Sequence, residues 1–126
     1  MLLGMPNSSL RFAVAAQACL LLAAAAACDG GPGPIRSGAE LYRLQGCVTC
    51  HGANGHGTGM APDLRGMERH WTREKLVEYL ANAPEYIRRD PRLLEQKKRY
   101  SLNMPLYSIL RPEELQNLAD HVLSVR

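Results

Sequence analysis

Apolar residues recur at helical spacing along the chain from residue 37 onward, and no segment there reads as strand-rich. Leu41 and Leu44, with Tyr42, fall on one face just after Ser37, which is followed three positions later by Glu40. That pairing is a capping box, so a helix is predicted from residue 37, with Gly46 as its natural stop. Leu76, Val77 and Leu80 form a second inward stripe, opened by Thr72 as cap and closed near Asn82 ahead of Pro84. A further helical stretch covers Pro91 to Arg99. The last helix has Pro112 in its first turn and Glu113 and Glu114 where the helix dipole favours acids. Its apolar residues Leu115, Leu118, Ala119, Val122 and Leu123 are spaced on one side.

The N-terminus follows a different pattern. Residues 1 to 11 contain Arg11 and no acid, and Phe12 to Ala27 is a run of sixteen residues without a charge, interrupted only by Gln17. A basic start and an apolar centre match a secretory signal, and the run is short for a membrane span, which needs about 20 apolar residues. Ala25-Ala26-Ala27-Cys28 resembles the lipobox of bacterial lipoproteins, with Ala25 where that family usually has leucine. The resemblance implies cleavage before Cys28 and lipidation of its thiol. Ordinary cleavage after the alanines, leaving Cys28 as a free thiol, fits the same residues. Asp29 to Ser37 holds three glycines and two prolines, the composition of a flexible tether. The expected organisation is signal 1–27, tether 28–36 and one small domain 37–126.

Composition narrows the rest. The 126-residue chain carries a formal +3, and its only phenylalanine, Phe12, lies in the signal-like run. A domain this small and this poor in large apolar residues is marginal on its own core. Residues 88–99 carry six basic side chains (Arg88, Arg89, Arg92, Lys97, Lys98, Arg99) against Asp90 and Glu95, so charge is unevenly spread. A solvated surface helix and a patch that steers an acidic partner both fit that run. Nucleic-acid binding is not expected, because no dedicated motif accompanies the charge.

The chemistry centres on Cys47-Val48-Thr49-Cys50-His51. Two thiols three positions apart, followed at once by an imidazole, is the spacing for covalent haem attachment. Each thiol can form a thioether with a haem vinyl group, and the histidine then falls under the iron as an axial ligand. A zinc site would need two more ligands at compatible spacing, and the other cysteines, Cys19 and Cys28, lie far upstream. A thioredoxin-like pair would need a βαβ setting, which nothing downstream provides. With Cys19 in the signal, Cys28 at the lipobox and the remaining two on haem, no disulfide is expected. Haem also supplies the apolar mass that the domain lacks. The stretch Gly52 to Gly66, with five glycines and Pro62, reads as a loop passing close to the haem edge.

A second axial ligand could come from Met60, Met67, Met104, His56, His70 or His121. His56 and Met60 follow His51 too closely to reach the opposite face of a porphyrin, whereas Met104 lies beyond two helices and precedes Pro105, which restricts it to extended geometry. Position therefore favours Met104; a lone methionine is otherwise core filler.

The haem motif, the loop Ala61-Pro62-Asp63-Leu64, the pair Met104-Pro105 and the helix opening Pro112-Glu113-Glu114-Leu115 occur in the order seen in monohaem class I cytochromes c. The resemblance covers roughly residues 36 to 126. It implies an all-α, small cytochrome c fold of three to five helices packed around one covalently bound haem c with its iron held by His51 and Met104. It also implies that the Pro62 carbonyl accepts a hydrogen bond from the His51 ring. Trp71 is a candidate donor to a haem propionate, with ordinary core packing as the alternative reading. Two departures stand out: His121 occupies the place of an aromatic on the last helix, and Arg111 that of a serine or aspartate cap. Looser docking of that helix is expected.

A histidine nitrogen and a thioether sulfur together favour the ferrous state and fill both axial positions. One-electron transfer between redox-protein partners, an acidic one among them, is thus expected from a periplasmic electron carrier held at a membrane by lipid. The alternatives are a haem subunit of a larger oxidoreductase complex and a peroxidase-like enzyme or sensor in which Met104 is displaceable. Donor, acceptor, potential and oligomeric state are not written in the sequence.

Overall fold

Two helices from opposite ends of the domain cross at a residue with no side chain. The structure, a computed structural model, describes residues 33–126; the run 1–27 and Cys28 lie outside the described residues. Helix α1 (Gly38–Leu44) meets α6 (Pro112–Leu123) at Gly38. A Cβ there would sit 2.1 Å from the Asn117 carbonyl oxygen and 2.6 Å from His121 Cβ. Around this point Leu41, Leu118 and Ala119 have no exposure and Tyr42 retains 3 %. The expected looser docking is therefore corrected. Gly38 brings the backbones together, and the His121 ring stays in contact with Tyr42, 5.2 Å between centroids.

Leu44 is also corrected. It is 64 % exposed, because Gly38, Leu41 and Tyr42 make the stripe that faces α6 and Leu44 lies about 200° round the helix from Tyr42.

A buried carboxylate fastens the same pair of termini. Glu114 retains 1 % side-chain exposure and lies between two guanidinium groups. Its Oε1 accepts from Arg36 Nε at 2.7 Å and from Arg111 at 2.8 Å, and its Oε2 from Arg36 at 3.1 Å. Asn117 donates to the Arg36 carbonyl at 2.9 Å. Arg36, within the stretch expected to be tether, is thus held on α6. Glu114 also accepts the Arg111 backbone N–H at 3.3 Å, so the N-terminus of α6 is capped from inside the helix. First Arg36 and then Arg111 hold its carboxyl well below the usual carboxylate range.

Between these ends run α2 (Cys47–His51), a 3₁₀ turn (Met67–Arg69), α3 (Arg73–Ala81), α4 (Ala83–Arg89) and α5 (Pro91–Arg99). No strand occurs among the described residues. The predicted caps are found: Ser37 and Glu40 form the capping box, and Thr72 accepts from Lys75. Two helices were not apparent from the pattern, α2 and α4. Pro84, read as a stop for α3, instead lies in the first turn of α4. Leu76, Leu80, Leu93, Leu110, Leu115 and Leu118 join Trp71 and Tyr107 in one core, with Val77 partly buried beside it.

Candidate functional site

The core is incomplete on one side. A cavity there is lined by the turn around α2, the glycine-rich loop, Trp71, α3, α5, residues 102–107 and α6. Cys47, Cys50, His51, Pro62, Trp71 and Met104 all line it. Of the other axial candidates, Met60 and Met67 share the wall, while His56, His70 and His121 do not.

α2 occupies one helical turn between Gly46 (φ 75°) and Gly52 (φ 80°). Helical geometry places Cys47, Cys50 and His51 at i, i+3 and i+4, on one face. The loop that follows folds back on this turn and satisfies its free carbonyls. Gly57 N–H donates to the His51 carbonyl at 2.8 Å, the Thr58 hydroxyl to the Cys50 carbonyl at 2.6 Å, and the Tyr42 hydroxyl to the Gly52 carbonyl at 2.9 Å. At Gly57, φ is 79° and a Cβ would lie 2.6 Å from the Asp63 nitrogen. The close approach made by this glycine is thus to the loop's own backbone.

This fold-back leaves the Pro62 carbonyl 2.8 Å from His51 Nδ1. A carbonyl can only accept, so Nδ1 carries the proton and Nε2 keeps a lone pair for a metal. Burial lowers the His51 pKa, favouring the neutral imidazole, while the Pro62 bond opposes it. Neither cysteine is engaged in a disulfide. Cys47 is buried, and its Sγ lies 4.0 Å from the Tyr107 hydroxyl; burial pushes the thiol pKa up.

Met104 is half-buried in the irregular segment between α5 and α6. That segment is anchored after it, where Tyr107, 4 % exposed, donates its N–H to the Leu80 carbonyl at 3.1 Å. Among the described residues, 101–106 make no hydrogen bond of their own. Trp71 is 5 % exposed, with its ring 5.0 Å from Tyr79 and 5.4 Å from Tyr86 and the Arg92 guanidinium 4.9 Å above it. It both packs in the core and lines the cavity.

Sequence reasoning missed Gly57, Thr58 and Tyr107. Gly57 was hidden among five glycines, and nothing local marks Thr58 or Tyr107, which act through distant backbone. It also left open where the basic helix faces; Arg92, Gln96 and Lys97 of α5 line the cavity.

Two cysteines, an imidazole whose Nδ1 is taken up by the Pro62 carbonyl, and a thioether around one largely apolar cavity suit a covalently attached haem. With an all-helical fold, they define a c-type haem protein. The family model for cytochrome c matches residues 35–126, and the chain belongs to the cytochrome c family. Its cofactor is covalently bound haem c with iron, and electron transfer with redox partners is the family's business. No match was found among curated proteins or among solved structures.

Proposed function

We propose that this cytochrome c is a one-electron carrier of the bacterial cell envelope, with Cys47 and Cys50 as thioether anchors and His51 and Met104 as axial ligands. The observation that carries the reading is the bond from His51 Nδ1 to the Pro62 carbonyl at 2.8 Å, beside two cysteines and a methionine on the same cavity. When bound, the haem supplies the one-electron couple. The chain's own residues do the rest. Pro62 fixes the imidazole's orientation and raises its basicity. The buried leucines and Trp71 exclude water, and Trp71 would be a candidate donor to a haem propionate. Met104 would supply the second protein ligand to the iron and leave no open position for substrate.

Lipidation of Cys28 would tether the domain on the periplasmic side, which the export-type run and the Gly/Pro-rich stretch support. An acidic redox partner is favoured by the basic face of α5 on the cavity wall.

The test is the absorption spectrum of holoprotein made with haem-maturation machinery, recorded beside Met104→Ala. Wild type should carry the long-wavelength band of methionine ligation when oxidised, and the variant should lose it. An unchanged variant spectrum removes Met104 from the iron. The intact mass of detergent-extracted protein should show acyl groups on Cys28, and Cys28→Ser should release it to the soluble fraction.

A second reading is favoured by one observation, the lack of hydrogen bonds in 101–106. It makes Met104 displaceable and the protein a ligand-binding or peroxidase-like haem protein. Tight carbon monoxide binding by the reduced wild type would support it.

A further inference from the structure

Tyr107 joins two parts of the cavity wall. Its backbone is held from both sides, with the N–H donating to the Leu80 carbonyl of α3 at 3.1 Å and the carbonyl accepting from Leu110 at 3.0 Å. Its side chain, 4 % exposed, runs to the cysteine turn, where the hydroxyl lies 4.0 Å from Cys47 Sγ. That is the outer limit for a hydrogen bond to sulfur, yet this sulfur is the hydroxyl's one partner among the described residues. Sixty positions separate the two in sequence, and both line the cavity.

Chemistry sets the direction of this bond. A thiol both donates and accepts, so with Cys47 unattached either atom can be the donor. When the thiol adds across a haem vinyl group, its hydrogen passes to carbon and its sulfur is left with lone pairs alone. Only Tyr107 can then donate. Burial raises the pKa of the hydroxyl, so its proton is present throughout the ordinary pH range. A buried hydroxyl deprived of this acceptor would stand without a partner, which is costly.

Resting on the electron-carrier reading, we infer that Tyr107 is a positioning residue whose hydroxyl donates to the Cys47 thioether sulfur and so ties the attachment point to the segment bearing Met104. A donor at that sulfur draws electron density from the attached edge of the porphyrin. It disfavours the ferric state and raises the reduction potential, since hydrogen bonds around the cofactor are one of the levers by which a protein sets that potential. The Met104 sulfur, just upstream on the same cavity, is the competing acceptor. The contact the hydroxyl makes is with Cys47 instead.

The experiment uses full-chain holoprotein, wild type beside Tyr107→Phe, which keeps the ring and both backbone bonds. In resonance Raman spectra the thioether C–S bands of wild type should shift between light and heavy water, and the variant should lose that shift and show a lower reduction potential. Imidazole should displace Met104 from the oxidised variant about threefold more readily, toward the lower end of what one net hydrogen bond contributes. A variant with wild-type potential and wild-type isotope shift overturns the inference. So does a wild type without the isotope shift, a measurement that needs no variant to fold. The lost isotope shift and the lowered potential should both recur when Tyr107→Phe is made in a Met104→Ala background. Their absence there would assign the hydroxyl to the methionine and also overturn the inference. A wild type lacking methionine ligation would sink the carrier reading while the C–S bands still decide Tyr107, so the two failures are separable.

Discussion

The two sides of the haem cavity are built differently. On the His51 side, α2 and the loop to Leu64 are tied by the Gly57, Thr58, Tyr42 and Leu64 hydrogen bonds and by the Pro62 carbonyl on the ring. On the Met104 side, residues 101–106 have none among the described residues, and the segment is anchored beyond them at Tyr107. The proposed His51 ligand is therefore held by hydrogen bonds of the polypeptide, whereas the proposed Met104 ligand lies in a segment held only from beyond it. Ligand strength and fold stability should separate along this line.

The largest effect belongs to the covalent anchors. Cys47→Ser with Cys50→Ser should yield a chain with no added tetrapyrrole by intact mass and little folded domain by circular dichroism, since a small core lacking haem is marginal. Gly57→Ala comes next. A Cβ would meet the Asp63 nitrogen at 2.6 Å from a left-handed backbone, costing about 2–3 kcal/mol. That should read as a fall in Tm, with a shift in reduction potential as the Pro62 carbonyl moves. Met104→Ala should do the reverse. Stability should stay within about 1 kcal/mol by denaturant titration, while the potential falls on the order of 0.1 V, a modest part of the roughly 0.8 V that axial ligands span. Equal losses of stability in the two variants would erase the distinction between the sides.

Glu114→Gln is a control outside both regions. The folded carboxyl is held below its unfolded value, so its contribution is present at neutral pH and is lost as pH falls through the lowered folded value. Wild type should stay folded through mild acid, and the variant should be less stable at pH 7 with a flatter acid limb in thermal melts. Thr58→Val is the smallest change. Its hydroxyl bridges the Cys50 carbonyl and the Met60 N–H, and losing it should cost about 1 kcal/mol.

What the sequence made legible was what neighbouring residues decide. Ser37 with Glu40, Thr72, Pro91 and Pro112 each set a helix start within one turn, and the cysteine–histidine spacing named the cofactor. Pro84 misled because a proline that ends one helix can open the next. Leu44 misled because three residues of spacing do not say where a crossing helix lies. The partners of Gly38, Gly57, Glu114 and Tyr107 are distant in sequence or depend on a fold-back, and no local pattern encodes them. Pro62, Trp71 and Met104 could be nominated from sequence order, but which of them share a wall is a property of the packed chain.

The Arg36–Glu114 link has a mechanical meaning. It sits eleven residues ahead of Cys47, where the upstream chain joins the domain, and it grips α6 rather than the cysteine turn. A tug from the upstream chain is therefore shared with the N-terminal turn of the longest helix at Glu114, ahead of the cysteine turn, as a cable clamp takes strain before the solder joint behind it.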